Sequence, residues 1–437
     1  MKLFGYDLLM RALQPVVRRK LKRRAVHEPL YAQHMGQRFG VYDTAPQSVD
    51  IWIHAVSLGE TRAAQLLIKA LRALRPDLKL LLTHGTATGW AQGAQSLRAG
   101  DVQAWLPWDT ASAVSGFLDH FHPRLGVLME TEVWPQLVSQ CQQRGIGLVL
   151  ANARLSDKSL RQALRLGGLA RHAYQGLSQV WSQTSEDAQR LSRLGVQHLQ
   201  VMGNLKYDQQ PDASQLALAR SWRAELTRPV LLLASSREGE ELTWMQALKS
   251  QAGDGAAGGA AGVLPWVVPR HPQRFDEVAQ ALSEQGWKVC RRSQLSFDAD
   301  TYRALNQPGV VVLGDSMGEM ALYYGLATVA LMGGSFERFG GQNLIEALAC
   351  GCPVVLGPHT YNFAQASSAA LQAGAALQAT DMAHGVGLAL QLCADPGRTK
   401  RMADLGQQMV QSHQGVAERM AQQLLALLDA PINSTRR

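Results

Sequence analysis

The chain has 437 residues, 46% hydrophobic and 18% charged, which is enough apolar material for a large core and more length than one domain usually takes. Its formal net charge of +8 and isoelectric point near 9.4 favour an anionic partner without choosing among nucleic acid, acidic lipid and phosphorylated substrate. Cys141, Cys290, Cys350, Cys352 and Cys393 include one close pair and no second Cys/His pair at zinc spacing, which argues against a disulfide framework and a zinc site; no uncharged apolar run reaches the roughly 18–20 residues of a membrane span.

Residues 1–17, MKLFGYDLLMRALQPVV, mix leucines with Lys2, Asp7 and Arg11, and RRKLKRR follows. The pattern fits an interfacial helix on an anionic leaflet; a helix packed on its own domain is the alternative. Apolar strand-like segments then alternate with helical ones, the pattern of a parallel sheet covered on both faces. DIWIHAV enters a loop at Ser57 and a helix over 61–74; LKLLLTH precedes a helix over 90–97, VQAWLP one over 111–120, and RLGVLME one over 134–144. IGLVLANAR and a helical stretch over 159–174 complete the half. The polar stretch GNLKYDQQPDAS, 203–214, marks a boundary. A second series follows: RPVLLLASS, a helix over 240–249, the low-complexity insert QAGDGAAGGAAG expected as a surface loop, LPWVVPR, a helix over 275–285, WKVC, GVVVLGD, and a helix over 320–326. VALMGGSFERFGGQNLIEALACGCPVVLGP, 329–358, reads as strand, glycine-rich loop, short helix and strand. A helical tail over 400–428 ends the series.

The chemistry-bearing residues fall at predicted strand ends, where open α/β sheets bind ligands. In 329–358, Gly333, Gly334, Gly340 and Gly341 permit positive φ and let main-chain N–H groups face an anion at a helix start. Glu346, on the first turn, is placed to accept from a ribose diol. Glu60 in HAVSLGE is a candidate general base, or equally a helix N-terminal acid. METEVWP supplies Glu130 and Glu132 at another strand end, with capping of the next helix by Thr131 or Glu132 as the alternative. Lys206 in GNLKYD is a cation at the domain junction, suited to a leaving phosphate or a substrate carboxylate. Ser235, Ser236 and Arg237 in SSREGE form a possible anion site; Arg270 and His271 sit between Pro269 and Pro272, with arginine suited to phosphate; GDSMGE offers a glycine-bearing turn. Walker-type, early dinucleotide and HEXXH motifs are missing, so neither an NTPase, a dehydrogenase nor metal catalysis is indicated.

HAVSLGE, METEVWP, ANARLSDKS, GNLKYD, VPRHPQRF, LGDSMGE and GGSFERFGGQNLIEALACGCPVVLGPHTYNF, in that order over nearly the whole chain, resemble the 3-deoxy-D-manno-octulosonic acid (Kdo) transferases of lipopolysaccharide synthesis. The resemblance implies an α/β GT-B fold, two Rossmann-like domains facing across a cleft: a membrane-associating segment 1–24, an acceptor domain 25–205 and a CMP-Kdo-binding domain 206–437, whose C-terminal helix packs across both. It implies an inverting glycosyltransferase taking Kdo from CMP-Kdo to a phosphorylated lipid A precursor at the cytoplasmic face of the bacterial inner membrane, with no metal or other cofactor and no nucleic acid partner. By resemblance Glu60 is the general base, Glu130 and Lys206 stabilise the transition state, and Pro269 with Arg270, Met317, Gly318 and Glu319, and Asn343, Leu344, Ile345 and Glu346 bind CMP. Gln342 stands where many members have histidine, so that position brings no ionic contribution near neutral pH. Two rivals are another nucleotide-sugar enzyme of the same fold, a UDP-sugar transferase or epimerase, and an inert basic protein binding membrane or nucleic acid; Glu60, Glu130 and Lys206 argue against the second.

Overall fold

The computed structural model describes residues 2–251, 262–296 and 298–430; nearly all of the low-complexity insert lies outside the described residues. The chain forms two compact units, Met1–Asp208 with His413 onward, and Gln209–Ser412.

The first unit is built on seven parallel strands: β1 Ile51–His54, β2 Leu80–His84, β3 Val102–Trp105, β4 Leu125–Met129, β5 Gly147–Ala153, β6 Gln179–Ser182 and β7 Leu199–Val201, in the order β3-β2-β1-β4-β5-β6-β7. IWIH, LLLTH and LGVLM lie buried along their whole length, as expected of central strands with helices on both faces. Helix Leu58–Leu74 presents Ala64, Leu67, Ile68 and Leu71 to one face. On the other, Phe117 of helix Ala111–Phe121 meets Trp52 edge-on at 4.9 Å. β1 is flanked by β2 and β4, so the order reverses between β1 and β4.

Helix Leu3–His27 packs against this unit. Asp7, Met10 and Leu21 are buried; Tyr6 Oη donates to Asp109 at 2.8 Å, Ala111 N to Asp7 at 2.6 Å, and Trp108 Nε1 to the Met10 carbonyl at 2.8 Å. Its outward side keeps Phe4 75% and Val16 63% exposed, with Leu8, Leu9 and Leu13 exposed beside them. Packing on its own domain therefore holds for one side of this helix, and the other side is left exposed. Among the described residues no helix is long and apolar enough to cross a membrane.

The second unit repeats the plan with β8 Val230–Ser236, β9 Leu264–Pro269, β10 Lys288–Arg291, β11 Val310–Leu313, β12 Val329–Met332, β13 Val354–Leu356 and β14 Ala376–Gln378, all parallel, in the order β10-β11-β9-β8-β12-β13-β14. Here the reversal lies between β8 and β12. Their ends approach so closely that a Cβ on Gly333 would stand 2.5 Å from the Ser235 carbonyl oxygen, which is why glycine follows β12.

The tail, expected to pack across both units, is divided between them. It is two helices, Pro396–Ser412 and Val416–Asp429, broken at Gly415 with φ of 81°. The second leaves 206–437 altogether: Met420, Ala421, Leu424 and Leu428 enter the first unit's core beside Leu67 and Leu71. Asp208 secures it, accepting from Gly415 N at 2.6 Å and Ala417 N at 2.5 Å. Asp208→Ala should cost about 1–2 kcal/mol and selectively speed amide exchange in Val416–Asp429; unchanged protection of that helix would show that apolar packing alone holds it.

Candidate active site

In the first unit Glu60 and Glu130 lie where the strand order reverses. The chain leaves β1 through Ala55 and Val56, and Ser57 caps helix Leu58–Leu74 by accepting from Glu60 N. Glu60 answers in capping-box fashion: one carboxylate oxygen accepts from Val56 N, the other from Ser57 Oγ, both at 2.9 Å. The acid proposed as base and the acid that caps a helix are therefore the same group in one geometry. Burial pushes its pKa up to about 7, and the negative charges of Glu130 and Glu132 add to the rise; the Val56 and Ser57 hydrogen bonds hold it back.

Glu130 follows β4 directly and adopts a left-handed conformation, φ 57°, rare for a side-chain-bearing residue. It is almost completely buried, and Arg154 Nε meets its carboxylate at 2.7 Å. Glu132 is held by Trp134 Nε1 at 3.0 Å and raised by burial. Neither Glu132 nor Thr131 caps the next helix: Asp109, from the loop after β3, accepts from Gln136 N and Leu137 N at 3.0 and 2.9 Å, and burial lifts it to about 6. His54, at the end of β1, is fully buried and neutral, driven down to about 3 chiefly by desolvation. Its Nδ1 lies 3.1 Å from the Thr83 carbonyl and 3.0 Å from the Thr83 hydroxyl; in the tautomer that donates Nδ1–H to the carbonyl, Nε2 is an acceptor, 3.9 Å from Glu132. Lys206 lies in the 3-10 turn Leu205–Asp208, positioned by Asn152, whose Oδ1 accepts from Leu205 N at 3.1 Å.

In the second unit the first part of the glycine-rich loop, Gly334 to Glu337, is bonded within the protein. Its N–H groups do converge on an anion, but the anion is internal: Glu240, 1% exposed, accepts from Gly334 N at 2.7 Å, Phe336 N at 3.2 Å, Glu337 N at 3.4 Å and Arg237 N at 2.8 Å. This joins the loops after β8 and β12 into one rigid piece. Ser236 is likewise turned inward, to the buried Glu241 that Arg274 grips with both Nη atoms at 2.8 and 3.1 Å. The residues expected to hold the nucleotide lie on three segments of this unit. Pro269 ends β9, and the exposed Arg270 donates its backbone N–H to Ser236 at 3.0 Å. Met317 is 67% exposed beside Gly318, φ 80°. Glu319 pairs with Arg292 at 2.7 Å. Asn343 caps helix Leu344–Ala349 by accepting from Ile345 N; Leu344 and Ile345 are buried, and Glu346 is half-buried on its first turn. Cys350 and Cys352 are free and pushed up by burial, as small apolar residues would be placed.

Arg154, His54, Asp109 and Glu240 were not among the expected site residues. Arg154 stood in plain view in ANARLSDKS, but its pairing with Glu130 joins the ends of two strands that only the sheet order brings together.

A profile of the N-terminal domain of 3-deoxy-D-manno-octulosonic-acid transferases matches residues 33–209. The transferase of Bordetella pertussis is 43% identical over 95% of this chain and 96% of its own. The chain belongs to the Kdo transferase family. The Kdo transferase of Haemophilus influenzae is 29% identical over 98% of this chain and 99% of its own. Among solved structures, a glycosyltransferase from Rickettsia africae (TM-score 0.56, 12% identical, 90% of this chain and 100% of that one) and a UDP-GlcNAc 2-epimerase from Neisseria meningitidis (TM-score 0.56, 12% identical, 87% and 100%) share the fold. The Kdo transferase chain is thus a glycosyltransferase of GT-B architecture, with two Rossmann-like units.

Because burial raises Glu60, the native protein binds that proton more tightly than the unfolded chain does. Stability from this residue is therefore lost as pH rises from the ordinary carboxylate range through about 7. Glu60→Gln, uncharged throughout, should lack that loss, so the parent's unfolding midpoint should fall relative to the variant's across this window; parallel profiles would mean Glu60 titrates at an ordinary value.

Proposed function

We propose that this Kdo transferase moves Kdo from CMP-Kdo to a phosphorylated lipid A precursor with inversion at the anomeric carbon. The observation that carries the reading is Glu60: a carboxylate fixed by Val56 N–H and Ser57 Oγ at a strand-order reversal, with a pKa of about 7 that suits a base working near neutrality. It takes the proton from the acceptor hydroxyl as that oxygen bonds to the anomeric carbon of Kdo. The bond from that carbon to the phosphate oxygen breaks on the opposite side, and its electron pair leaves with CMP. Lys206 and Arg270 counter the charge growing on the single phosphate, and the Arg154–Glu130 pair holds the acid next to the base in place. Asn343, Glu346 and the Met317–Glu319 turn hold the nucleotide. On this reading the reaction uses no metal.

The same reading puts the enzyme on the cytoplasmic face of the inner membrane, resting on helix Leu3–His27. The exposed Phe4, Leu8, Leu9, Leu13 and Val16 enter the headgroup boundary, and Arg18, Arg19, Lys20, Lys22 and Arg23 meet anionic lipid.

Glu60→Gln should lower transfer about 10²–10⁴-fold with CMP affinity nearly intact, and the parent's rate should rise with pH to a plateau above about 7; loss of CMP binding together with turnover would refute the base assignment. Replacing Arg18, Arg19, Lys22 and Arg23 by glutamine should abolish salt-sensitive binding to phosphatidylglycerol vesicles. Equal binding by that variant would place the membrane contact elsewhere.

A further inference from the structure

A cavity of about 300 Å³ lies wholly within the first unit, between helix Leu3–His27 and the carboxyl ends of β1 to β3. Its walls are apolar: Val17 and Leu21 from the helix, Phe39, Leu106, Trp108 and Trp134 from the loops. Val56, whose N–H holds Glu60, is also part of the lining, so the cavity adjoins the proposed base. Lys20 and Arg24 stand exposed at the helix side of the lining. Two carboxylates, Asp109 and Glu132, also reach it. Both are already engaged by donors of the chain itself, Asp109 by Tyr6 Oη and two backbone N–H groups and Glu132 by Trp134 Nε1. Two buried polar atoms of the lining have no hydrogen-bond partner among the described residues: His54 Nε2, an acceptor in the Nδ1–H tautomer, on a side chain with no exposure and 3.9 Å from Glu132, and Arg38 Nε, whose guanidinium is otherwise committed to the Trp105 face and the Gly85 carbonyl.

An apolar chamber that a packed core would have filled, with unsatisfied polar atoms inside and cations at its edge, has the make-up of a ligand site. Its size suits one hydrocarbon chain, not a whole glycolipid. We propose that this cavity takes an acyl chain of an anionic lipid, with the headgroup charge on Lys20 and Arg24 and a hydrogen-bond donor at the root of the chain, hydroxyl or amide N–H, satisfying His54 Nε2. This rests on the acceptor reading above: one acyl chain, sunk beside Val56, fixes the acceptor's sugar relative to Glu60, and the enzyme reads chain length as well as headgroup.

The test is binding of N-acylglycines, each an anionic headgroup, an amide N–H and one chain, from octanoyl to hexadecanoyl, below their micellar concentrations and followed by calorimetry on the full-length protein. Affinity should tighten about fourfold per added methylene and then level off once the cavity is full. Val17→Trp, which fills the chamber from the partly exposed helix, should move the levelling point to shorter chains, and Lys20→Gln with Arg24→Gln should weaken the whole series without moving it. Affinity that climbs with no plateau, a Val17→Trp protein that binds every chain as the parent does, or no binding at any length overturns the proposal. Kdo transfer, assayed in parallel, separates the two readings: the expected binding series without transfer leaves the cavity standing and removes the acceptor assignment, whereas transfer without the series does the reverse.

Discussion

Reversal of strand order in a parallel sheet is the constraint from which the site follows. Where neighbouring strands send their connections in opposite directions, the loops at their carboxyl ends diverge and leave a notch that no helix covers. Each unit has one such place, between β1 and β4 in the first and between β8 and β12 in the second. Glu60 and Glu130 follow the first pair of strands; Arg237, Gly333 and Gly334 follow the second. The rest of each sheet, buried on both faces, serves to make those loop roots rigid.

Rigidity at these places comes largely from carboxylates that the protein uses as its own anions. Glu240 gathers four backbone N–H groups; Asp109 gathers two from a helix start and a tyrosine hydroxyl. A buried carboxylate without such donors would be driven to take a proton, whereas each backbone hydrogen bond favours its charged form. Glu60 has two donors and two acidic neighbours, and burial with repulsion outweighs the donors, so its affinity for a proton rises into the neutral range. Burial raises Asp109 and Glu240 as well; Glu60 differs in staying partly exposed while those two are sealed, which leaves it able to exchange protons.

The sequence declared its strands openly, because continuous apolar runs such as IWIH and LLLTH have few other uses. It also declared the Ser57–Glu60 pair, since a capping box is local. Side chains that meet across the sheet were hidden. Arg154 reaches Glu130 through the adjacency of β4 and β5, and Asp109 reaches Gln136 from a loop 27 residues away, and neither spacing has a signature. The glycine-rich loop was legible as a turn with N–H groups to spare, but nothing local says that Glu240 takes those of Gly334, Phe336 and Glu337. How the tail divides between the units was hidden for a similar reason: apolar spacing tells which face of a helix is buried, not against which core, and the contact of its last helix with Asp208 reaches far along the chain.

That contact changes how the protein comes into being. Since Val416–Asp429 completes the core begun by the first two hundred residues, the second unit is an insertion within the first, entered after Asp208 and left at His413, where the Tyr207 and His413 rings stack at 4.7 Å. On the ribosome the first sheet must wait, with the docking face of Leu58–Leu74 uncovered, while the whole inserted unit is translated, on the order of 10–40 s at ordinary elongation rates. The inserted unit, contiguous in sequence, has its full core in hand before its host does. The half of the enzyme that carries the proposed base is thus the first to be synthesised and the last to close.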